Sequence, residues 1–313
     1  MIYALSMRIF LTGATGYIGA AVLDAIVRGG HDVTALVRDS EKARRVAKRG
    51  AHPVVGNLAD PDSFRASADG QDGYVHAAFD SASGRGPAIE QAALDTIIAA
   101  AKRPRTAGAA APQRRFIIYT SGVWVLGRTL EPANEDAPLN PIAASAFRPA
   151  HEQLVLDANS DQLRTVVVRP GVVYGGGEGI IGDMFKAASN GLVRVVGDGN
   201  NHWPLVYDRD LADLYARLVA APDAAGVYHA NDEGDERVND IVGAIKPYLP
   251  VKPDVRYVPI EEARHKMGVY ADAMALDQVV RSPRARALGW TPTLHSVAGN
   301  AARLLEEWRE SRN

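Results

Sequence analysis

Short apolar runs and helically spaced apolar residues alternate along the first half of the chain. Ile9-Phe10-Leu11 reads as a buried strand, and Val33–Val37, His52–Val55, Gly73–Phe79, Phe116–Tyr119 and the stretch from Val166 to Tyr174 as further strands. Between them, Ile18, Ala21, Val22, Ala25 and Ile26 recur at helical spacing, as do Ile89, Ala92, Ala93, Thr96, Ile97 and Ala100. Gly29-Gly30 supplies the left-handed stop for the first of these helices. Strand–helix alternation of this kind predicts an α/β fold: a Rossmann-like, doubly wound parallel sheet over residues 7–174. After Tyr174 the rhythm weakens. Met184, Phe185 and Leu192 begin a less regular region, Val227–Ala230 reads as a strand returning to the main sheet, and Leu294–Trp308 reads as a terminal amphipathic helix. The expectation is a smaller, discontinuous portion over 175–313, with about 205–232 returning to the first domain.

Glycines 13, 16 and 19 fall where the first strand hands over to the first helix, in Met7-Arg-Ile-Phe-Leu-Thr-Gly-Ala-Thr-Gly-Tyr-Ile-Gly19. Such a turn points backbone N–H groups and the positive helix end outward, and glycine lets a diphosphate approach without a Cβ in the way. The segment is therefore a dinucleotide site, with Gly13, Thr15, Gly16, Tyr17 and Ile18 as its candidate contacts. A tight turn without a ligand is the plainer alternative.

Composition narrows the remaining classes. A formal net charge of -2 points to no nucleic-acid surface, and no apolar run approaches membrane-spanning length. The absence of cysteine removes disulfides and thiol chemistry, and the eight histidines show no paired spacing suited to a metal. Residues 1–6 read as a short disordered leader, and the expected location is cytoplasmic.

Cofactor choice in this fold is made at the end of the second strand, where an acid holds a ribose 2′-OH and a base accommodates a 2′-phosphate. Val37 stands at the acid's place, Arg38 offers a planar fork, and Arg45 follows one helical stretch later. NADP is favoured over NAD, although a one-residue shift would make Asp39 the ribose ligand. Asn57 and Leu58 are candidates for the adenine, and loop chemistry explains them equally well. Ala77, Ala78 and Phe79 end the fourth strand with room for close cofactor contact, and His76 reads as a packed interior histidine. Lys102–Arg115 reads as a flexible surface connection. The fifth strand ends in Thr120-Ser121-Gly122, where a hydroxyl can donate to a substrate oxygen as charge develops on it.

These pieces, together with Val168-Arg-Pro-Gly-Val-Val-Tyr-Gly175 and Trp203-Pro-Leu-Val-Tyr-Asp-Arg-Asp-Leu-Ala212, resemble the extended short-chain dehydrogenase/reductase superfamily. Its branches include nucleotide-sugar epimerases and dehydratases and dihydroflavonol-type reductases. The resemblance implies that Thr120, Pro170, Gly171 and Val173 line the cofactor, that Val238–Leu249 and Ala285–Leu288 are small-domain helices, and that the chain forms a homodimer. It also exposes a departure. The family's tyrosine and lysine, four residues apart, are absent: Ala144 falls at the tyrosine position and Arg148 at the lysine position. Pro149 places the helix start near 148, with proline in its first turn. Arg148 can hold a ribose but cannot serve as a general base. Ser121 remains as the candidate oxygen-polarising group, and Tyr119 and Tyr174, both at carboxyl strand ends, as candidate proton donors, Tyr174 the better placed.

Beyond these, Gly175–Gly179 reads as a mobile loop, His202 and Trp203 either as pocket residues or as part of a turn with a packed tryptophan, and Asp210 as the N-cap of a helix over Leu211–Ala221. The leading expectation is an NADP(H)-dependent oxidoreductase acting on a small carbonyl/alcohol pair. A nucleotide-sugar epimerase or dehydratase would need a basic pyrophosphate clamp that the C-terminal portion does not display, and a non-catalytic NADP-binding sensor or scaffold is the third reading.

Overall fold

A computed structural model describes residues 6–104, 114–129, 131–249 and 252–312. Most of the expected leader and of the expected surface connection at 102–115 lies outside the described residues. The strands are β1 (Arg8–Thr12), β2 (Asp32–Val37), β3 (His52–Val55), β4 (Gly73–His76), β5 (Arg115–Thr120), β6 (Leu163–Pro170), β7 (Val172–Tyr174), β8 (Leu192–Val196), β9 (His202–Trp203), β10 (Leu205–Tyr207), β11 (Gly226–Ala230), β12 (Glu236–Arg237) and β13 (Asp254–Val258). The α-helices are α1 (Tyr17–Arg28), α2 (Ser40–Ala47), α3 (Asp62–Ala68), α4 (Gly86–Lys102), α5 (Arg148–Leu156), α6 (Gly179–Ser189), α7 (Asp208–Ala220), α8 (Val238–Ile245), α9 (Ile260–Met267), α10 (Tyr270–Met274), α11 (Pro283–Ala287) and α12 (Ala301–Glu310).

Seven strands form the main sheet in the order β11-β6-β5-β4-β1-β2-β3, and β3, β2, β1, β4, β5 and β6 pair in parallel. The strand order reverses between β1 and β4, the place where an open α/β sheet leaves a crevice beyond its strand ends. The α/β class follows the sequence pattern, and runs such as Ile9–Leu11 and Val166–Val168 are buried on both faces. At the sheet edge β3 is instead exposed at His52, Pro53 and Val55, and the stretch read as one strand to Tyr174 breaks after Pro170, β7 pairing with β10 outside the main sheet.

The chain divides into two compact units. The first is Met1–Ser121, Ala150–Val168 and Ala212–Val227; the second is Gly122–Pro149, Arg169–Leu211 and Tyr228–Asn313. The core of the first packs Phe10, Phe64, Tyr74, Leu94, Ile97 and Ile117. Arg164 is buried there, with its guanidinium capping the carbonyls of Leu218, Val219 and Ala224 at the end of α7.

Residues 122–149, inside the stretch read as part of the sheet domain, group with the second unit. Gln278 donates to the carbonyls of Val123 (2.9 Å) and Gly127 (2.7 Å), and Ala133 bridges Val280. The region after Tyr174 is more regular than its sequence suggested: α6 leads into β8, which pairs in parallel with β13. Two buried carboxylates shape the rest of this unit. Asp210 lies inside α7 rather than at its N-cap, and it accepts from the Thr293 and Leu294 N–H groups and the Thr293 hydroxyl. Glu236 accepts from the Ser296 hydroxyl and from the N–H groups of Val297 and Ala298. With that backbone claimed, the last α-helix starts at Ala301 and not at Leu294.

Candidate active site

In the first unit, β1 ends at Thr12 and the chain turns at Gly13, whose φ is +83°. A Cβ on Gly13 would stand 2.5 Å from the Ala77 carbonyl oxygen and 2.8 Å from the Ala78 nitrogen, so the ends of β1 and β4 meet there in backbone contact. Gly19 serves the helix instead. Its missing Cβ lets α1 lie against the turn, where an alanine would come within 2.1 Å of the Gly13 oxygen. Gly16 is the N-cap of α1, extended, with no side-chain cap and no acidic residue in the first turn. The leading N–H groups of a helix have no acceptor within it. Thr15, Tyr17 and Ile18 are half-buried around that end. A cradle that a Cβ would fill, at a helix start without a competing anion, fits a dinucleotide diphosphate.

Beyond β2, Arg38 is exposed, and its neighbour Asp39 is committed elsewhere. The Asp39 carboxylate caps α2 by accepting the Lys42 N–H at 2.8 Å, and that hydrogen bond holds its pKa below the ordinary value. Arg38 reaches the electrostatic neighbourhood of Asp80, whose carboxylate is held low by the N–H groups of Ser83 and Ala82 and, more weakly, by Arg38. Arg45 is exposed in the last turn of α2. Asn57 is exposed, with its side-chain oxygen accepting the Ala59 N–H, while Leu58 packs on the core of this unit. Phe79 is exposed and its ring lies over Gly86 at the start of α4.

Two hydroxyls end β5. Thr120 shares a 2.6 Å hydrogen bond with the Tyr215 hydroxyl, and Ser121 donates to Glu152 of α5 at 2.5 Å. Glu152 is 2% exposed and Ser121 7%. A second buried acid, Glu90, accepts from Tyr119 and pairs with His151 at 2.8 Å, with His76 at 3.8 Å. His76 in turn shares a 2.8 Å bond with the Thr12 hydroxyl, which makes it the packed interior histidine expected from its setting. Glu152 and Glu90 were not picked out as site groups from sequence. The available signal was a charged residue on the inward face of each helix, which an apolar environment tolerates only when paired.

In the second unit, α5 starts at Arg148 with Pro149 in its first turn, and the preceding Ala143–Ser145 is a single 3-10 turn. Half-buried Ala144 brings no ionisable group, and Arg148 lies beside the Phe147 ring, 5.1 Å from its centre. Pro170 closes β6, and Gly171 admits the Pro204 carbonyl, which an added Cβ would meet at 2.3 Å. Val173 is half-buried in β7 opposite Val206. Tyr174 is fully buried against Tyr207, and its hydroxyl donates to Asp232 at 3.1 Å. Burial, and then the Asp232 charge, raise the Tyr174 pKa, which makes it a poor acid. Burial likewise pushes Asp232 up to about 7.

The parallel sheet, the switch point between β1 and β4 and the glycine cradle define a nucleotide-binding α/β protein. Residues 9–231 match the model of the NAD dependent epimerase/dehydratase family, and the chain belongs to that family. It is 30% identical over 268 residues to a 4-hydroxy-2-methyl-3-oxo-4-farnesyl-3,4-dihydroquinoline-1-oxide ketoreductase of Stigmatella aurantiaca, covering 82% of this chain and 78% of that protein. A 2-alkyl-3-oxoalkanoate reductase of Stenotrophomonas maltophilia is 30% identical over 262 residues, 76% of each chain. Among solved structures, human epimerase family protein SDR39U1 with NADPH superposes with a TM-score of 0.78 at 21% identity, over 96% of this chain and 99% of that one. Among the described residues no cluster of side chains suits a metal ion, and no helix is long and apolar enough to cross a membrane.

Proposed function

We propose that this protein is an NADP(H)-dependent oxidoreductase that interconverts a small carbonyl compound and its alcohol. The observation that carries the reading is the Ser121–Glu152 pair at the carboxyl end of β5, in the same unit as the glycine cradle. Gly13, Gly16 and the first turn of α1 hold the diphosphate, and Ala77 and Ala78 border it. Arg38 takes the 2′-phosphate, because Asp39 is occupied as a helix cap. Hydride transfer is the chemistry the bound dinucleotide supplies. The Ser121 hydroxyl turns from Glu152 to the substrate oxygen and donates to it as negative charge develops. Water completes the alcohol, since Ala144 has no proton to give and Tyr174 is sealed against Asp232. The names of the two reductase relatives support this chemistry.

The test is titration of the purified protein with NADPH and NADH, followed by a panel of ketones and aldehydes monitored by nicotinamide absorbance. The expected result is tighter binding of NADPH, with turnover that survives Tyr174→Phe and falls about 10²–10³-fold in Ser121→Ala. Tight binding without turnover would replace the enzyme reading by that of a sensor, which the missing tyrosine otherwise favours. No binding of either nucleotide would end both.

A further inference from the structure

Within the second unit lies a cavity of about 340 Å³, walled by α6, β8, Trp203, α8, β13 and the α9–α10 pair. Its wall is apolar: Met184, Val195, Trp203, Val238, Ala263 and Met274. Trp203 is buried with its indole N–H donated to the Met274 carbonyl, so it shows the cavity only hydrocarbon. His202, expected beside it as a pocket residue, is instead held by Asp277 at 2.9 Å. Three charged residues border the space, and all three are exposed: Asp183, Arg194 and Lys266. Asp183 repels phosphate, the Lys266 ammonium is paired with Glu262 at 2.9 Å, and Arg194 contributes a single exposed guanidinium, which together do not make the convergent cationic clamp a diphosphate requires.

The volume would hold roughly ten waters, yet the wall offers them few partners, so an apolar group displaces them at a gain. The rim is also adaptable. Met267, Val269 and Tyr270 are exposed on either side of Gly268, which turns α9 into α10 with a φ of +59°. Methionines at 184, 267 and 274 can follow the outline of whatever enters.

We infer that this cavity seats an apolar ligand group, an alkyl chain or ring, and that it excludes nucleotide sugars. Taking that group as part of a carbonyl compound rests on the oxidoreductase reading; the apolar seat does not.

Isothermal titration of the full chain with a series of 2-alkanones, from 2-butanone to 2-decanone, tests it. Affinity is expected to rise about fourfold per added methylene, then level off once the cavity is full. Ala263→Phe, which fills the space, is expected to abolish that gain while NADPH binds as before. Should the variant fail to fold, the chain-length series on the wild type decides alone. A flat series, or displacement of 2-octanone by UDP-glucose at a lower concentration than by 2-decanone, overturns the inference. Length-dependent binding without turnover supports the apolar seat and removes the oxidoreductase reading, whereas turnover with a flat series does the reverse.

Discussion

Gly13 and Gly30 share a backbone conformation but not a neighbourhood, which makes them a matched pair for testing the nucleotide cradle. Their φ angles are +83° and +80°. A Cβ at Gly30 meets nothing within 4 Å, whereas one at Gly13 lies 2.5 Å from the Ala77 oxygen and 2.6 Å from the Ala77 carbonyl carbon. Gly30→Ala therefore carries only the left-handed penalty, about 1–2 kcal/mol for a residue with a Cβ. Gly13→Ala carries the same penalty plus a steric one, because the backbones after β1 and β4 must separate by roughly 1 Å, and overpacking of that kind costs about 1–3 kcal/mol. The total is about 2–5 kcal/mol, with the excess over Gly30→Ala arising wholly at the strand ends. In thermal melts, Gly30→Ala should unfold a few degrees early and Gly13→Ala several degrees earlier still. In fluorescence titrations, NADPH affinity should be unchanged in Gly30→Ala and reduced at least about tenfold in Gly13→Ala, since on the proposed reading the displaced segment is the one that faces the diphosphate. Equal midpoints for the two variants, or full NADPH affinity in Gly13→Ala, would refute the reasoning.

Arg38→Ala should lower NADPH affinity about tenfold or more and leave NADH within about twofold, while Asp39→Ala should melt slightly early without changing the preference; paired titrations check both. Asp232, raised from 3.8 to about 7, keeps its proton in the folded chain over a range where the unfolded chain has released it. Its contribution is thus greatest below the unfolded value, falls as the pH climbs through that window by up to about 4 kcal/mol, and is level above it. Asp208, raised to about 6, acts with the same sign. Urea melts at about pH 5 and about pH 8 should show stability falling with pH, less steeply in Asp232→Asn. Tyr174→Phe should cost about 1–3 kcal/mol by removing the Asp232 donor and leave turnover intact, and loss of turnover in a folded Tyr174→Phe would return that tyrosine to the proton path. Light scattering should give twice the chain mass if α4 and α5 form a homodimer face, and a single chain mass would discard it.

What could be read from the residues was whatever depends on local pattern. The glycine turn was legible because strand, glycine spacing and helix periodicity agree within a dozen residues, and so was the start of α5, because proline tolerates a helix only in its first turn. What is not legible locally depends on partners far along the chain. Asp210 looked like a cap because an acid before an apolar helix usually is one; its partners, Thr293 and Leu294, lie more than eighty residues away. The late start of α12 has the same origin, since no pattern near residue 296 reveals that Glu236 claims its backbone. The regular α6–β8 segment was underestimated because β8 alternates around a solvent-facing Arg194, and its partner β13 is distant in sequence.

The same local–distant divide accounts for the departure from the family pattern around Arg148. With Pro149 in the first turn of α5, the preceding turn is 3-10 and ends short of Arg148, so the family's tyrosine position, Ala144, lies outside α5 and carries no phenol. An acid on the inward face of the helix that follows, Glu152, is buried and must be hydrogen-bonded to be tolerated there. The partner it finds is the Ser121 hydroxyl, at 2.5 Å. The other buried acid of this unit, Glu90, is taken up with Tyr119 and His151, and thereby ties α4 and α5 beneath the ends of β4 and β5. Of the two acids, then, one fixes the frame and the other touches a hydroxyl that the fold sets out at the end of β5. On the proposed reading, a site built this way polarises an oxygen without a phenol, and turnover should depend on Ser121 far more than on Tyr174.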